Sequence, residues 1–449
     1  MNARTHIILE ITELTNRLFE ETETGRDKAN LHDLEDATSK AASRIAQILL
    51  EGMLDEFGDG YCDSRIPCKC GGKLRFVGRR ELTITTICGE VHLKRAYYHC
   101  KRCGASWVPL DERLGLSGCD FSEGVVEKIS YCCAELPFES ASEMMERLTG
   151  IAISTKEAQI LSEGIGREMG KELEIRAEVA MKDGIDSDSR PERLYVAIDG
   201  VMLQDRDGWH EVEVGSVYDT VKVTNARGEE EEVANTVTHV AVRGTPDDFT
   251  PQLCAETQVR GEEHAKEIIA LGDGAFWIWN IVNSYFPEAV QIIDWYHASE
   301  HVWSLGRVLY EDDEQRCRDW VDQGLELLKE GKVEELISRL KTMEGLCDEA
   351  ASERDRLVKY LEDNRNRMRY DEYLARGYHI GSGVVESACK NVVQIRHKRP
   401  GMRWSTAGAQ EVLNLRVFLL NGRWDRFWRE RRGKALSRNQ GLALPGKAA

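Results

Sequence analysis

Residues 194–203 read LYVAIDGVML. Five apolar residues end on Asp199, and Gly200 follows at once, so a buried strand delivers one carboxylate to a position that other groups can approach. Upstream, residues 171–193 (KELEIRAEVAMKDGIDSDSRPER) are polar and close on a Gly/Asp/Ser/Pro run, which predicts a linker before a new domain. Downstream, Trp209–Tyr218 alternates as a second strand. Asn235–Val242 is a third, after an acidic turn at Glu229–Glu232. Glu262–Ile269 predicts a helix, leading through Ala270 and Leu271 into Gly272-Asp273-Gly274. A second helix is predicted over Phe276–Tyr285, and a strand over Ala289–Ile293 ends in Asp294-Trp295-Tyr296-His297. This order predicts an α/β unit with acids at strand C-terminal ends, where open sheets place their chemistry.

From His297 to Tyr370 the chain is acidic and helical in pattern, an insertion that parts Asp273 from the next placed acid. That acid lies in residues 376–404, RGYHIGSGVVESACKNVVQIRHKRPGMRW. Glu386 sits on a helix after Gly381-Ser382-Gly383, glycines that let the helix swing against the sheet. Asp199, Asp273 and Glu386 form an all-oxygen set suited to two Mg or Mn ions. Two such ions support phosphodiester transfer. Lys390, Arg396, Lys398, Arg399 and Arg403 would hold a nucleic-acid backbone beside it. Singly these acids are weak signals, since an Asp before Gly is usually a turn residue. His297 either contacts DNA or ties the insertion to the sheet. Trp404, Trp424 and Trp428 either stack on bases or fill the core.

Residues 1–58 carry two helical stripes, Ile7/Ile11/Leu14/Leu18 and Ala41/Ile45/Ile48/Leu49/Met53. In residues 67–104 (PCKCGGKLRFVGRRELTITTICGEVHLKRAYYHCKRCG), Cys68 and Cys70 stand on one turn and Cys100 and Cys103 on another. Alternating strands Glu81–Ile87 and Glu90–Tyr97 join them. Two cysteine pairs joined by a hairpin predict one structural zinc. The first pair is a tight C-x-C, so Cys62 is an alternative to one of its members. Arg79, Arg80, Lys94, Arg95, Lys101 and Arg102 interleave with Phe76, Tyr97, Tyr98 and Trp107, a pattern for phosphate contacts or for a small aromatic core. Three helices follow, Ser122–Cys133, Pro137–Leu148 and Ser154–Met169. They read as a helix-turn-helix-like unit or an inert bundle, and the last is too poor in basic residues for deep major-groove reading.

The 449 residues suffice for two to four domains. No apolar run approaches a membrane span, and the acidic N-terminus lacks a secretory pattern, so a cytoplasmic protein is expected. Thirteen cysteines, nine of them before residue 134 and Cys119 among these, suggest a metal site rather than disulfides. The net charge of −18 by itself argues against nucleic acid. The charges are segregated, however: Arg65–Arg102 holds ten Lys/Arg against two acids, and Lys390–Arg438 thirteen against three.

Taken together, LYVAIDGVML, LGDGAFWIWN (271–280), IIDWYHASEH (292–301), GSGVVESACK (381–390), RHKRPGMRWS (396–405) and GAQEVLNL (408–415) resemble a bacterial insertion-sequence transposase of the ISKra group, distantly similar to Mutator-like transposases. The resemblance runs from the cysteine knuckles to Trp428, with the tight C-x-C as its one departure. It implies a ribonuclease H-like catalytic domain interrupted by an all-helical insertion, with an Asp-Asp-Glu triad at Asp199, Asp273 and Glu386. It also implies binding of double-stranded DNA at terminal inverted repeats, cleavage, and strand transfer into target DNA by a homo-oligomer. The expected layout is N-terminal helices (1–58), a zinc-ribbon-like module (59–112), a helix-turn-helix-like domain (120–171), the catalytic domain (190–296 and 376–432) around its insertion (297–375), and a tail (433–449). A silent former transposase that only binds DNA, or a nuclease without strand transfer, are the alternatives.

Overall fold

The computed structural model describes residues 3–24, 30–116, 120–224, 228 and 230–440. Cys119, Glu229 and parts of the expected N-terminal module and tail lie outside these. The chain divides into two compact units, residues 1–162 with 424–449, and residues 163–423.

The first unit opens with helices Ala3–Thr24 and Leu31–Glu56, the second started by an Asn30/Asp33 capping box. A four-stranded antiparallel sheet follows: β1 (Arg65–Pro67), β2 (Lys73–Thr86), β3 (Gly89–Cys100) and β4 (Ser106–Trp107), in that order. The β2–β3 hairpin is longer than its alternation suggested, running from one cysteine turn to the other with a bulge at Phe76/Gly78. Its core is small. Leu74, Ala96, Tyr98 and Cys100 pack with Phe76 and Trp107 at one end, and Ile84, Val91 and Leu93 pack at the other. Helices Glu123–Glu135 and Phe138–Thr149, with the start of Thr155–Lys182, close around Val125, Ile129, Met145 and Ala158. The last helix, Trp424–Gln440, belongs to this unit, although its residues up to 432 were expected in the catalytic domain. Arg431 pairs with Glu123 there, and Trp428 is 0% exposed.

The expected linker at 171–193 is helical as far as Lys182. Its Leu, Ala, Glu and Lys are helix formers, and Leu173, Ala177 and Ala180 recur at helical spacing as buried residues. In the second unit β5 (Arg193–Asp205), β6 (Gly208–Thr224) and β7 (Glu230–Val242) form an antiparallel meander, joined by β8 (Glu267–Gly272) and β9 (Val290–Ile293). The sheet order is β7-β6-β5-β8-β9, with β8 and β9 parallel to β5. Leu194–Ile198 are fully buried because β5 is the central strand. The helix expected over Glu262–Ile269 is a correction: those residues give a short 3-10 turn and the first half of β8. Good helix formers there are overridden by pairing between β5 and β9. The helix before β8 is instead Pro246–Val259, whose Phe249 packs against Gly215 of β6. Five α-helices between Trp295 and Ala375 make up the insertion. From it, Tyr370 and Tyr373 donate hydroxyl hydrogen bonds to the β9 carbonyls of Ile293 and Gln291.

One ionic knot holds this unit together. Glu256, 2% exposed, accepts from Arg423 at 2.6 Å and faces Arg176 at 3.9 Å. Removing the acid takes away the carboxylate that the enclosed Arg423 guanidinium bonds to and that Arg176 faces. Glu256→Ala should therefore cost about 3–5 kcal/mol in urea denaturation, and a loss below about 1 kcal/mol would place this pair with ordinary surface bridges.

Candidate functional site

The four cysteines converge. Cys68 and Cys103 sulfurs are 3.7 Å apart, as are those of Cys70 and Cys100, and all four lie within 4.8 Å of one another. Four sulfurs placed 2.3 Å from a tetrahedral zinc stand about 3.8 Å apart, so the set fits that ion. Backbone turns build the cradle. Cys68 N–H donates to Gly72 O and Gly71 N–H to Cys68 O, both at 2.9 Å, while Gly104 N–H donates to Cys100 O at 2.8 Å. The amide of Cys103 draws the Cys100 thiol down, toward the thiolate, against burial, which opposes it, while the neighbouring thiols of Cys68 and Cys103 are pushed up. Cys62 stands apart: its thiol donates to Gly60 O at 3.4 Å and its amide to the Tyr98 hydroxyl.

The predicted acids are arranged more openly. Asp199 lies on β5, two residues beyond the last parallel pair with β8, Ala197 with Leu271, and Asp273, the residue after β8, lies two residues beyond the same pair. Asp199 Oδ1 accepts from the Gly200 amide at 2.7 Å and Oδ2 from the Cys389 thiol at 3.2 Å. Burial raises the Asp199 carboxyl above its ordinary range; the hydrogen bonds from Cys389 and Gly200 oppose this, Asp273 adds to it, and His297 opposes it. Asp273 Oδ1 accepts from Ala275 N–H at 2.9 Å, and its carbonyl takes the Tyr360 hydroxyl at 3.1 Å.

Glu386 is exposed on the helix Gly383–Ala388, accepting from Ser382 Oγ at 3.2 Å. That helix continues into a π-helical turn, Cys389–Gln394, whose first residue is the thiol bound to Asp199. Cys389 thus ties the Glu386 helix to the central strand. Asp294, buried at the end of β9, accepts from Tyr296 and His297 amides as a helix cap and from Ser382 N–H at 2.7 Å, fixing the same segment. Among the described residues only the cysteines gather three or more ligand atoms within 4.8 Å, so the three acids stand wider than the ligands of one ion.

The expected DNA-contact residues fall into different places. Lys390, Lys398 and Arg403 are exposed and Arg399 half-buried. Arg396 is a correction: it is 0% exposed, with its guanidinium over the Trp404 ring, because the π-turn rotates it inward. Arg416 and Arg423 are likewise taken up inside the fold, by the Val392 carbonyl and by Glu256. Arg79 pairs with Asp59, and Arg80 lies 3.5 Å over the Tyr97 ring. Trp404, Trp424 and Trp428 are all buried core residues and do not offer stacking faces. His297 is half-buried, its ring beside His301 at 5.3 Å.

Cys389 escaped the sequence reading, although it had a legible signal, three residues after Glu386 and so on the same helix face.

Glu213, 2% exposed on β6, gives the unit a pH dependence. Burial pushes its carboxyl up to about 7, with Glu211 and Asp248 adding and the amides of Glu213 and Gly244 opposing. The folded chain therefore keeps a proton that the unfolded chain releases between about pH 4.5 and 7, so stability falls as pH rises through that window. Glu213→Gln should be the more stable form at pH 8 by about 3 kcal/mol and should match wild type near pH 4. Urea midpoints that move in parallel at both pH values would contradict this.

Comparison with known proteins gives a match to an uncharacterised protein family, UPF0236, over residues 25–432. A UPF0236 protein in the vanSb 3' region of Streptococcus gallolyticus is 27% identical over 416 residues, 87% of this chain and 86% of the relative. A UPF0236 protein of Caldanaerobacter subterraneus subsp. tengcongensis is 23% identical over 365 residues, 76% of this chain and 68% of the relative; its name joins four locus designations. A second from that bacterium, whose name joins two, is also 23% identical over 365 residues, 76% of this chain and 64% of the relative. Among the described residues no helix is long and apolar enough to cross a membrane.

Proposed function

The chain belongs to UPF0236, an uncharacterised protein family, and from the geometry above we propose that it is a DNA transposase. In this reading it binds the terminal inverted repeats of its own element and catalyses divalent-metal-dependent strand cleavage and strand transfer. The observation that carries the proposal is that Asp199 and Asp273 each lie two residues beyond the last parallel pair of the adjacent strands β5 and β8, with the Glu386 helix tied to Asp199 by Cys389. A ribonuclease H-like site needs that arrangement, two aspartates from neighbouring strands facing a glutamate on a helix.

The donors are all carboxylates, which suits Mg or Mn. Ligands of a two-ion site surround ions about 3.5–4 Å apart, so they need not crowd within the reach of one ion. Bound there, the ions would activate a water or a 3'-hydroxyl and stabilise the leaving oxygen. Lys390, Lys398 and Arg403 would hold the phosphate backbone, with Arg399 at the margin. The sulfur cluster is read as one structural zinc in a zinc-ribbon-like module, and the helices after it as a helix-turn-helix-like domain. Names joining four and two loci of one bacterium fit a sequence present in several copies, as the coding region of a mobile element is. Two element ends must meet, so a homo-oligomer on DNA in the bacterial cytoplasm is part of the proposal.

The test is to incubate the zinc-loaded chain with labelled duplex from either side of its gene, with Mg, and with free 3'-hydroxyl ends supplied. Nicks at the element ends together with joined products are expected. Nicks without joining would leave a nuclease, and binding without nicks a silent DNA-binding protein.

A further inference from the structure

We propose that the outer face of the β1–β4 sheet, the side turned away from its aromatic core, is a docking surface for the phosphate backbone of duplex DNA. The reading above gives this sheet a structural role only, and supplies DNA as the polyanion; the surface itself is a separate inference. Strand register defines the face. Leu74, Phe76, Tyr98 and Cys100 pack into the small core beside the cysteines. Side chains alternate along a strand, so Arg75 and His99, which pair directly, point the other way. Arg65 of β1 stands opposite Arg75, and Ser106 of β4 opposite His99. One cross-strand row therefore runs Arg65, Arg75, His99, Ser106. Lys73, two residues before Arg75 on β2, shares this face. Past the bulge Gly78 pairs with Tyr97, and the Arg80 guanidinium lies 3.5 Å over the Tyr97 ring.

Like charges are gathered here without acids to offset them. Two arginines directly opposite in adjacent strands have Cβ atoms about 5 Å apart, which works against the pairing. Arg65, Lys73, Arg75 and Arg80 are exposed, and none has a carboxylate partner among the described residues. Neighbouring arginines differ: Arg79 pairs with Asp59 and Arg95 with Asp111. The sheet thus neutralises two of its arginines and leaves four cations bare on one side. Their scaffold is fixed. The Tyr97 hydroxyl is bonded to Ser106 Oγ at 2.6 Å, and His99 Nδ1 lies 3.4 Å from the same oxygen. The face is also open, since a methyl group built on Gly78 would meet nothing within 4 Å. From Lys73 to Arg80 the cations follow β2 for about 23 Å, about two-thirds of a duplex turn. Guanidinium forks match phosphate oxygens, and such contacts hold a backbone without reading its sequence. A regular chain of phosphates suits this line better than the scattered carboxylates of an acidic protein.

The test is the fluorescence anisotropy of two labelled duplexes, one from the element end and one unrelated, with the zinc-loaded full chain. It is run across a salt series without Mg, so that binding is read apart from cleavage. For wild type, log affinity should fall linearly with log salt concentration. Each cation removed from a phosphate contact lowers that slope by about 1. Arg75→Ala should show this single loss, and Arg65→Ala/Arg75→Ala/Arg80→Ala together a loss of about 3, on both duplexes alike. Zinc content and thermal midpoint should stay at or above wild-type values, because these side chains are exposed and the like charges opposed each other. A wild-type slope in the triple variant would overturn the inference and leave the proposed function standing. Binding to polyglutamate tighter than to either duplex, and lost in the triple variant, would assign the face to an acidic protein and also overturn it. Wild type binding neither duplex would overturn the transposase reading together with this one.

Discussion

Asp199→Asn is expected to abolish strand cleavage while leaving DNA binding in place. The amide keeps the shape of the carboxylate, and its one oxygen keeps the bond from either the Gly200 amide or the Cys389 thiol, which in wild type occupy different oxygens. What disappears is the negative charge that would hold the ion. Losing ion-assisted activation of the nucleophile should cost at least about 10³-fold in rate, or about 4 kcal/mol. The change should not weaken the fold. Burial already disfavours the ionised form of Asp199, so a neutral side chain there should leave the thermal midpoint unchanged or raise it. Asp273→Asn should behave alike in single-turnover cleavage. A rate within tenfold of wild type in either variant would remove that residue from the chemistry.

Withdrawing zinc should unfold the four-stranded sheet. The hairpin buries only two small apolar clusters, one directly under the sulfurs. Structural zinc in comparable small modules contributes about 10–16 kcal/mol at neutral pH, as much as the whole stability of many domains. Metal analysis should find one zinc per chain. Cys100→Ser should lose it, together with the fixed environment of Trp107, which packs against this core and would report by fluorescence. Cys62→Ser should keep it, since Cys62 lies outside the sulfur cluster. Less than about half an equivalent in the intact chain would contradict a site with four thiolates.

The positions of Asp199 and Asp273 were legible in sequence because an apolar run ends at or beside each and a glycine follows, although β5 runs on past Asp199 to Asp205 instead of ending there. Cys100 and Cys103 were legible from spacing, while the tight C-x-C left Cys62 as an alternative to Cys68 or Cys70 until the folded hairpin gathered the four sulfurs. The helix Pro246–Val259 was not, since Pro251 inside it argues against a helix in isolation. Its start did carry a signal, with Thr245 N–H bonded to the Asp248 carboxylate at 2.9 Å. β8 was misread as a helix because its residues prefer one locally, and only its neighbours in the sheet decide otherwise. The basic stretch at the C-terminal end overstated its surface. Arg396, Arg416 and Arg423 satisfy carbonyls, rings and an acid inside the fold, which one-dimensional charge counting does not register.

In the proposed function a divalent ion held by Asp199 and Asp273 acts on a DNA phosphate. The most direct measurement replaces one non-bridging oxygen at the scissile phosphate with sulfur and compares cleavage in Mg and in Mn. Cleavage of the sulfur-bearing strand should collapse in Mg, which binds sulfur poorly, and recover in Mn. Equal cleavage of the oxygen and sulfur substrates in Mg, or cleavage that persists in excess chelator, would contradict the account.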